Sequence, residues 1–331
     1  MRPSTEVRHS APTWLTWAAL WTVYIVWGST YLAIRVTVET LPPLLTAGAR
    51  FLVAGAIVYG VLAIRRGLRG VRVTGRELLS SSFVGGALLL GGNGLVVLAE
   101  RDAPSSLAAL IIASVPLWVV LFRYVTSESI ARGTLAGVVL GFGGVAILVL
   151  PGDRPGGATA LSIVLLIGAA AFWATGSFAS TRLHLPRDPF LSTGIQMLCG
   201  GVWLVVAGLI GGEAANIDVA GFSAASVWAF LYLIVFGSLL AFTAYVWLLQ
   251  NAPISKVATY AYVNPVIAII LGWLILSERM TTNMLIGAAV IVASVAFIVS
   301  KEAHGAPAKE SDAASARPDR FGRVLAESKS H

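Results

Sequence analysis

The stretch Ala103-Pro104-Ser105-Ser106-Leu107-Ala108-Ala109, with Pro116 beyond it, returns 149 positions later as Ala252-Pro253-Ile254-Ser255-Lys256-Val257-Ala258, with Pro265 beyond it. Ala103/Ala252, Pro104/Pro253, Ser106/Ser255, Ala109/Ala258 and Pro116/Pro265 are identical pairs. Earlier in each half, Pro43-Leu44-Leu45-Thr46-Ala47-Gly48 with Leu52 and Gly55 matches Pro189-Phe190-Leu191-Ser192-Thr193-Gly194 with Leu198 and Gly201, at a spacing of 146. A third match, Trp27-Gly28-Ser29 against Trp173-Ala174-Thr175-Gly176-Ser177, needs one insertion. Apolar segments drawn from few residue types resemble one another anyway, but they do not share prolines at fixed offsets. Three matches in one order therefore describe a chain built from two related halves.

Hydrophobic residues make up 57% of the chain and charged residues 12%, too little polarity to cover a water-soluble domain of this length. The apolar residues gather into ten runs at approximately 14–36, 42–64, 77–98, 104–125, 132–150, 159–181, 189–211, 223–249, 254–276 and 281–300. Each is near the twenty or so residues that cross a bilayer as a helix. Helices are required because a spanning backbone must satisfy its own hydrogen bonds. The runs are continuously apolar rather than alternating, which excludes a β-barrel. Five spans per half is an odd number, so the second half enters the membrane upside down relative to the first, the geometry of a secondary transporter. The expected fold is an all-α membrane protein of ten transmembrane helices in two inverted five-helix repeats. Its parts are a cytoplasmic N-terminus at 1–13, repeat 1 at 14–150, repeat 2 at 159–300 and a disordered cytoplasmic tail at 301–331.

Orientation follows from the basic residues. With the N-terminus inside, cytoplasmic segments collect all but five of the 23 Lys and Arg; Arg50 lies within a span, and Arg35, Arg101, Arg154 and Arg279 fall on the other side. Both termini are therefore expected in the cytoplasm. The formal charge of +7 reads as topology, since the arginines stand in short loops beside span ends rather than on one folded face, and no nucleic-acid role follows. The first apolar run is too long for a signal core and lacks an Ala-x-Ala cleavage pattern, so it is the first span. Cys199, the single cysteine, sits in the seventh span with no partner for a disulfide or metal site and reads as packing.

Within the spans, Gly133, Gly137 and Gly141 recur every fourth residue and mark a helix contact face. Gly91, Gly92 and Gly94, beside Asn93, serve either tight packing or a loosened helix where substrate passes. Arg50 is about nine residues into the second span, which at 1.5 Å per residue is near mid-membrane, so it must face protein or water. Its repeat mate is Gln196. Two readings are open for Arg50, a tie between helices through backbone carbonyls or an attractor for a substrate carboxylate. The ninth span is interrupted by Thr259-Tyr260-Ala261-Tyr262-Val263-Asn264-Pro265, with Tyr260 and Asn264 four apart on one face. Pro265 and its mate Pro116 each remove a backbone donor, which predicts paired kinks near mid-membrane as hinges or gates. Trp27, Asn93, Trp173, Tyr245 and Trp118 complete a plausible cavity lining. Apart from Glu77 at the very edge of the third run, no acid falls inside the ten runs, so an intramembrane proton relay has no evident carrier.

Catalysis is disfavoured by subtraction. His9, His184, His304 and His331 all lie outside the spans, and no phosphate loop, His-Glu-x-x-His or intramembrane pair of aspartates is present. No catalytic residue, metal site or cofactor is expected.

Trp27-Gly28-Ser29-Thr30-Tyr31, Ala49-Arg50-Phe51-Leu52, Gly92-Asn93-Gly94, Pro104 to Ala109, and Ala258 to Pro265 followed by Ser277-Glu278-Arg279 together resemble the EamA family of the drug/metabolite transporter superfamily. The likeness runs from about residue 14 to 300 and is nearest to its YedA-like exporters. It implies ten helices, cytoplasmic termini and a central cavity lined by the first, third and fourth helices of each half. It marks Trp27, Asn93, Trp173, Tyr245, Tyr260 and Asn264 as substrate-binding candidates, with Pro116 and Pro265 as hinge or gate and Arg50 and Gln196 beside the cavity. Glu278 matches a family acid, and Glu128 lies one position from its repeat equivalent; both are expected to stabilise helix ends or gates by charge pairing with neighbours such as Arg279 and Arg132.

The expected function is a secondary transporter of the inner (plasma) membrane, exporting small organic metabolites, foremost amino acids or related compounds, by alternating access. A passive solute channel or facilitator and a multidrug exporter of the same fold are the alternatives. Expected partners are a small-molecule substrate and the lipid bilayer, with the protein a monomer or homodimer.

Overall fold

A computed structural model describes residues 12–149, 157–252 and 254–305. Among the described residues the regular structure is entirely helical. The helices are α1 Thr13–Thr37, α2 Pro43–Gly70, α3 Gly75–Ala99, α4 Ser105–Val125, α5 Arg132–Val149, α6 Ala160–Ser180 and α7 Pro189–Ile210. Then follow α8, built of Ala224–Tyr232, Leu233–Leu240 and Ala241–Asn251; α9, built of Ile254–Val257 and Tyr260–Leu276; and α10 Thr282–Gly305. Among the described residues nine helices are long and apolar enough to cross a membrane, and the tenth apolar segment, Tyr260–Leu276, has 17 residues. Helix α10 continues through Lys301 to Gly305, five residues into the stretch expected to be tail. The expectations for residues 1–11 and 306–331 lie outside the described residues.

Local chemistry sets several of the boundaries. Thr74 opens α3 with a capping box, accepting from the Glu77 N–H while the Glu77 carboxylate accepts from the Thr74 N–H. Thr159 and Ser162 do the same for α6, and Asp188 caps α7 by accepting from the Leu191 N–H at 2.8 Å. Helices α2 and α4 have no cap of their own at Pro42 and Pro104.

The main packing pairs are α2 on α7, α5 on α10, α1 on both α8 and α9, and α6 on both α3 and α4. Glycine lets the first pair meet backbone to backbone. A Cβ on Gly48 would stand 3.0 Å from the Gly201 carbonyl, and one on Gly55 would stand 3.0 Å from the Gly194 carbonyl. Gly48 and Gly194 are repeat mates, as are Gly55 and Gly201, so the contact is reciprocal: each site on one helix meets the mate of the other. The same two contacts make α2 and α7 antiparallel. The glycine face of α5 is likewise a contact surface, with a Gly137 Cβ 3.0 Å from Ile298 and a Gly141 Cβ 2.5 Å from Leu117.

The third and fourth helices of both halves are irregular. Residues Gly86–Gly94 of α3 and Leu233–Leu240 of α8 form wider π-helical turns, a rare conformation that is frequent at functional sites. Helix α4 breaks at Ala113–Ser114, between Ser105–Ile112 and Val115–Val125, with Pro116 in the first turn of the second piece. Helix α9 breaks at Ala258–Thr259, and Pro265 stands inside the continuous helix Tyr260–Leu276. The paired breaks thus fall before the prolines rather than at them. At Pro116 the ring fits a first turn, whose N–H groups have no intrahelical partner.

Candidate functional site

Three expected site residues come together around α1. The Trp27 ring lies 5.0 Å from Tyr245 and 5.3 Å, edge-on, from Tyr260, while Tyr245 and Tyr260 are 5.6 Å apart, also edge-on. One helix from the first half and two from the second therefore build an aromatic trio, in the offset and edge-to-face arrangements that ring quadrupoles favour. The Trp27 indole donates to the Gly237 carbonyl at 3.2 Å, inside the π-helical part of α8. Asn264 is buried one turn beyond Tyr260. With its amide nitrogen turned toward them, it donates to the carbonyls of Tyr24 and Tyr260, each at 3.3 Å. Its visible work is thus to tie α9 to α1, where a Cβ on Gly28 would stand only 2.7 Å from Ile267. The Tyr24 and Thr259 hydroxyls form a further hydrogen bond beside the α9 break.

A second cluster spans the halves the other way, with Trp173 of the second half beside Gly92-Asn93 of the first. Trp173 packs so closely on the π-helical part of α3 that a Cβ on Gly92 would stand 2.7 Å from its ring. Asn93, next in the chain, is buried with its side-chain oxygen unpartnered. Each tryptophan leans on the π-helical turn of the other half, Trp27 by an indole hydrogen bond to Gly237 and Trp173 by ring packing on Gly92. The glycines of α3 hinted at this in the sequence; Leu233–Leu240 carries one glycine and gave no such signal. Trp118 lies elsewhere, edge-on to Phe142 at 5.0 Å.

Arg50 is 6% exposed and donates from Nε to the Ser238 hydroxyl at 2.7 Å, with its guanidinium 4.7 Å from the centre of the Phe51 ring. Among the described residues no carboxylate pairs with it. It borders a small crevice with Ile34, Thr37, Thr46, Ala47 and Val97. Its mate Gln196 donates to the Ser192 hydroxyl at 2.9 Å, within its own helix. Arg50 therefore reaches the π-helical turn of the other half through a side chain, and Gln196 does not use its side chain that way.

The acids find partners other than the arginines expected. Glu278 does not pair with Arg279; it caps α4 from the other half, accepting from the Ser105 N–H at 2.8 Å, the Ser106 N–H at 3.0 Å and both serine hydroxyls. Glu213, which follows α7, caps α2 in the same manner, accepting from the N–H groups of Leu44 at 3.0 Å and Leu45 at 2.9 Å. The helices without caps of their own are thus finished by carboxylates from the opposite half, where the helix dipole favours negative charge. Glu128 pairs not with Arg132 but with Arg123, at 2.8 Å, and Arg182. Hydrogen bonding to Arg123, joined by the charges of both arginines, holds its carboxyl below the usual range.

One acid escaped the sequence reading altogether. Glu100 lies two residues past the expected end of the third span, yet in the turn between α3 and α4 it is fully buried, and neither carboxylate oxygen has a hydrogen-bond partner. No periodicity distinguishes it from a solvated loop acid; tertiary packing buries it, with Arg35 of α1 bonded to the backbone of the turn.

Comparison with known proteins agrees with this architecture. The EamA-like transporter family matches residues 13–150 and again 160–300. "Uncharacterized inner membrane transporter YedA" of Escherichia coli (strain K12) is 37% identical over 284 residues, spanning 85% of this chain and 89% of that protein. "Probable amino-acid metabolite efflux pump" of Salmonella typhimurium is 27% identical over 286 residues, spanning 82% and 91%. A solved crystal structure at 19% identity has the same fold, with a TM-score of 0.61 over 87% of this chain and 98% of its own. With its two matched segments and its YedA relative, the chain belongs to the EamA-like transporter family.

Proposed function

We propose that this protein is a secondary transporter of the cell inner membrane that exports small organic solutes, foremost amino acids or related metabolites, by alternating access between two inverted halves. The reading rests on the unequal state of two repeat-related acids. Glu278 bolts the start of α4 through four hydrogen bonds, while Glu128 is turned onto Arg123 and Arg182. Among the described residues one end of the bundle carries such a latch, the arrangement two inverted halves adopt when a central site is closed to one side. The reciprocal Gly48–Gly201 and Gly55–Gly194 contacts support a pseudo-twofold axis between the halves. With the orientation expected from the arginines, the latched end faces outward.

The aromatic trio offers ring faces and edges, and Arg50 offers a guanidinium for a carboxylate. An amino acid carries both complements, and one relative's name points the same way. Counterflow in proteoliposomes, screened over amino acids, nucleosides and cationic drugs, tests the function. Saturable, trans-stimulated uptake of an amino acid is expected; flux without saturation or trans-stimulation would mean a passive channel, and counterflow confined to cationic drugs would move the cargo to that class.

A further inference from the structure

Glu100 has no task in the transport scheme, and its surroundings are unusual. Its backbone is clamped, since Arg35 of α1 donates to the carbonyls of Glu100 and of Arg101, and the Glu100 N–H bonds to the Val96 carbonyl. The guanidinium is thereby spent on backbone, and the carboxyl beyond it is sealed in with no donor of its own. Among the described residues the charged or titratable groups that bear on it are Tyr31 and Arg35 on α1 and the latch acid Glu278 after α9; Arg101 and Asp102 beside it in the turn are exposed, and Arg50 on α2 is held by Ser238. Helix α6, packed on the same end of α3, has no ionisable residue. An ionised carboxylate in that setting lacks compensation and neutralises by taking a proton. Burial, reinforced by the neighbouring Glu278 and partly opposed by Arg35, pushes the Glu100 carboxyl well above the usual carboxylate range.

We propose that Glu100 is a proton-binding site whose occupancy holds the Glu278 end of the bundle closed. The proposal rests on the alternating-closure reading, because the linkage needs a second state. When Ser105 and Ser106 leave Glu278, the adjoining turn opens, water reaches Glu100 and the carboxyl loses its proton. The latched state binds the proton more tightly than the open one. Closure is therefore favoured at low pH and lost as pH rises through the raised value of the latched state. Protonation and latching reinforce each other, since a neutral Glu100 no longer repels Glu278.

Two measurements on the full chain in lipid nanodiscs test this. In infrared pH titration, wild type is expected to show the carbonyl band of a protonated carboxylic acid persisting above the ordinary carboxylate range, and E100Q to lack it. A wild-type spectrum with no such band overturns the proposal, whether or not the protein transports anything. The second places a reporter cysteine at Ala103, fully buried in the same turn, in a Cys199→Ser background. Its maleimide labelling rate divided by that of the matching E100Q protein removes the reagent's own pH dependence. The ratio should rise with pH with a limiting slope of about tenfold per unit, the value for one linked proton. A flat ratio beside a persistent infrared band overturns the linkage. Absence of counterflow for every solute, with both results as expected, would instead fault the transport reading.

Discussion

Glu278 and Glu128 stand within one position of each other in the repeat, and they do opposite things. Glu278 crosses to the other half and finishes α4; Glu128 stays with Arg123 and Arg182. The two ends differ in kind as well as in partners. Four donors converge on Glu278, a partly sheltered carboxylate, whereas Glu128 is a surface acid whose ion pairs are screened by water. On the proposed alternating-access reading, the difference teaches that two equivalent ends are told apart by the bonding of these acids, which sets the one that is shut.

The largest expected effect comes from breaking the shut end. Glu278→Ala removes charge-assisted bonds to the first turn of α4, and a loss of about 2–3 kcal/mol of closed-state preference is expected, a shift of roughly thirty- to a hundred-and-fortyfold. Labelling of cysteines at that end should rise accordingly, while the same substitution at Glu128 should leave that end unmoved. Next comes the comparison of the two tryptophans. Trp27→Ala loses two ring contacts and an indole hydrogen bond, so counterflow KM should rise by at least about tenfold. Among the described residues Trp173 has no ring partner, and Trp173→Ala should have the smaller effect. Arg50→Met against Gln196→Met tests the asymmetry between the second helices. Arg50→Met should raise KM for carboxylate-bearing solutes about tenfold and leave amines without a carboxylate unchanged; Gln196→Met should discriminate between neither. The smallest effect belongs to Glu128→Gln, expected to alter flux within about threefold. Because the Glu128 carboxyl lies below the usual range, its ion pairs persist at and above ordinary carboxylate pKa values and are lost only as pH falls through the depressed one. Flux in Glu128→Gln should accordingly match wild type most closely in acid.

Much of the fold was legible because lipid imposes one rule on all spanning segments, and that rule writes long apolar runs into the chain. The repeat was legible through Pro43, Pro104 and their mates, since prolines and helix-start serines are few and fixed in position. The trio of Trp27, Tyr245 and Tyr260 was anticipated as a group, but the roles of single residues were not. Asn264 reads in sequence as a lining amide, and only the approach of α1 at Gly28 shows it bound to backbone carbonyls. Pro265 reads as a break, yet α9 breaks six residues earlier. Leu233–Leu240 widens to a π-helix with a composition that any α-helix would accept. The burial of Glu100 and the partners of Glu278 were hidden for one reason: what surrounds a carboxylate across the bundle is set by tertiary packing, and no local pattern encodes it.

Alternation between the two ends is tested most directly by measuring both at once. Spin labels at the exposed positions Asp102 and Arg279 report the latched end, and labels at the exposed positions Thr126 and Lys256 report the other, in a Cys199→Ser background. Without substrate the 102–279 distance should be short and narrowly distributed and the 126–256 distance long. Addition of a counterflow substrate should exchange the two, so that one end opens in the same fraction of molecules in which the other closes. Distances that stay fixed, or ends that open together, would contradict the account.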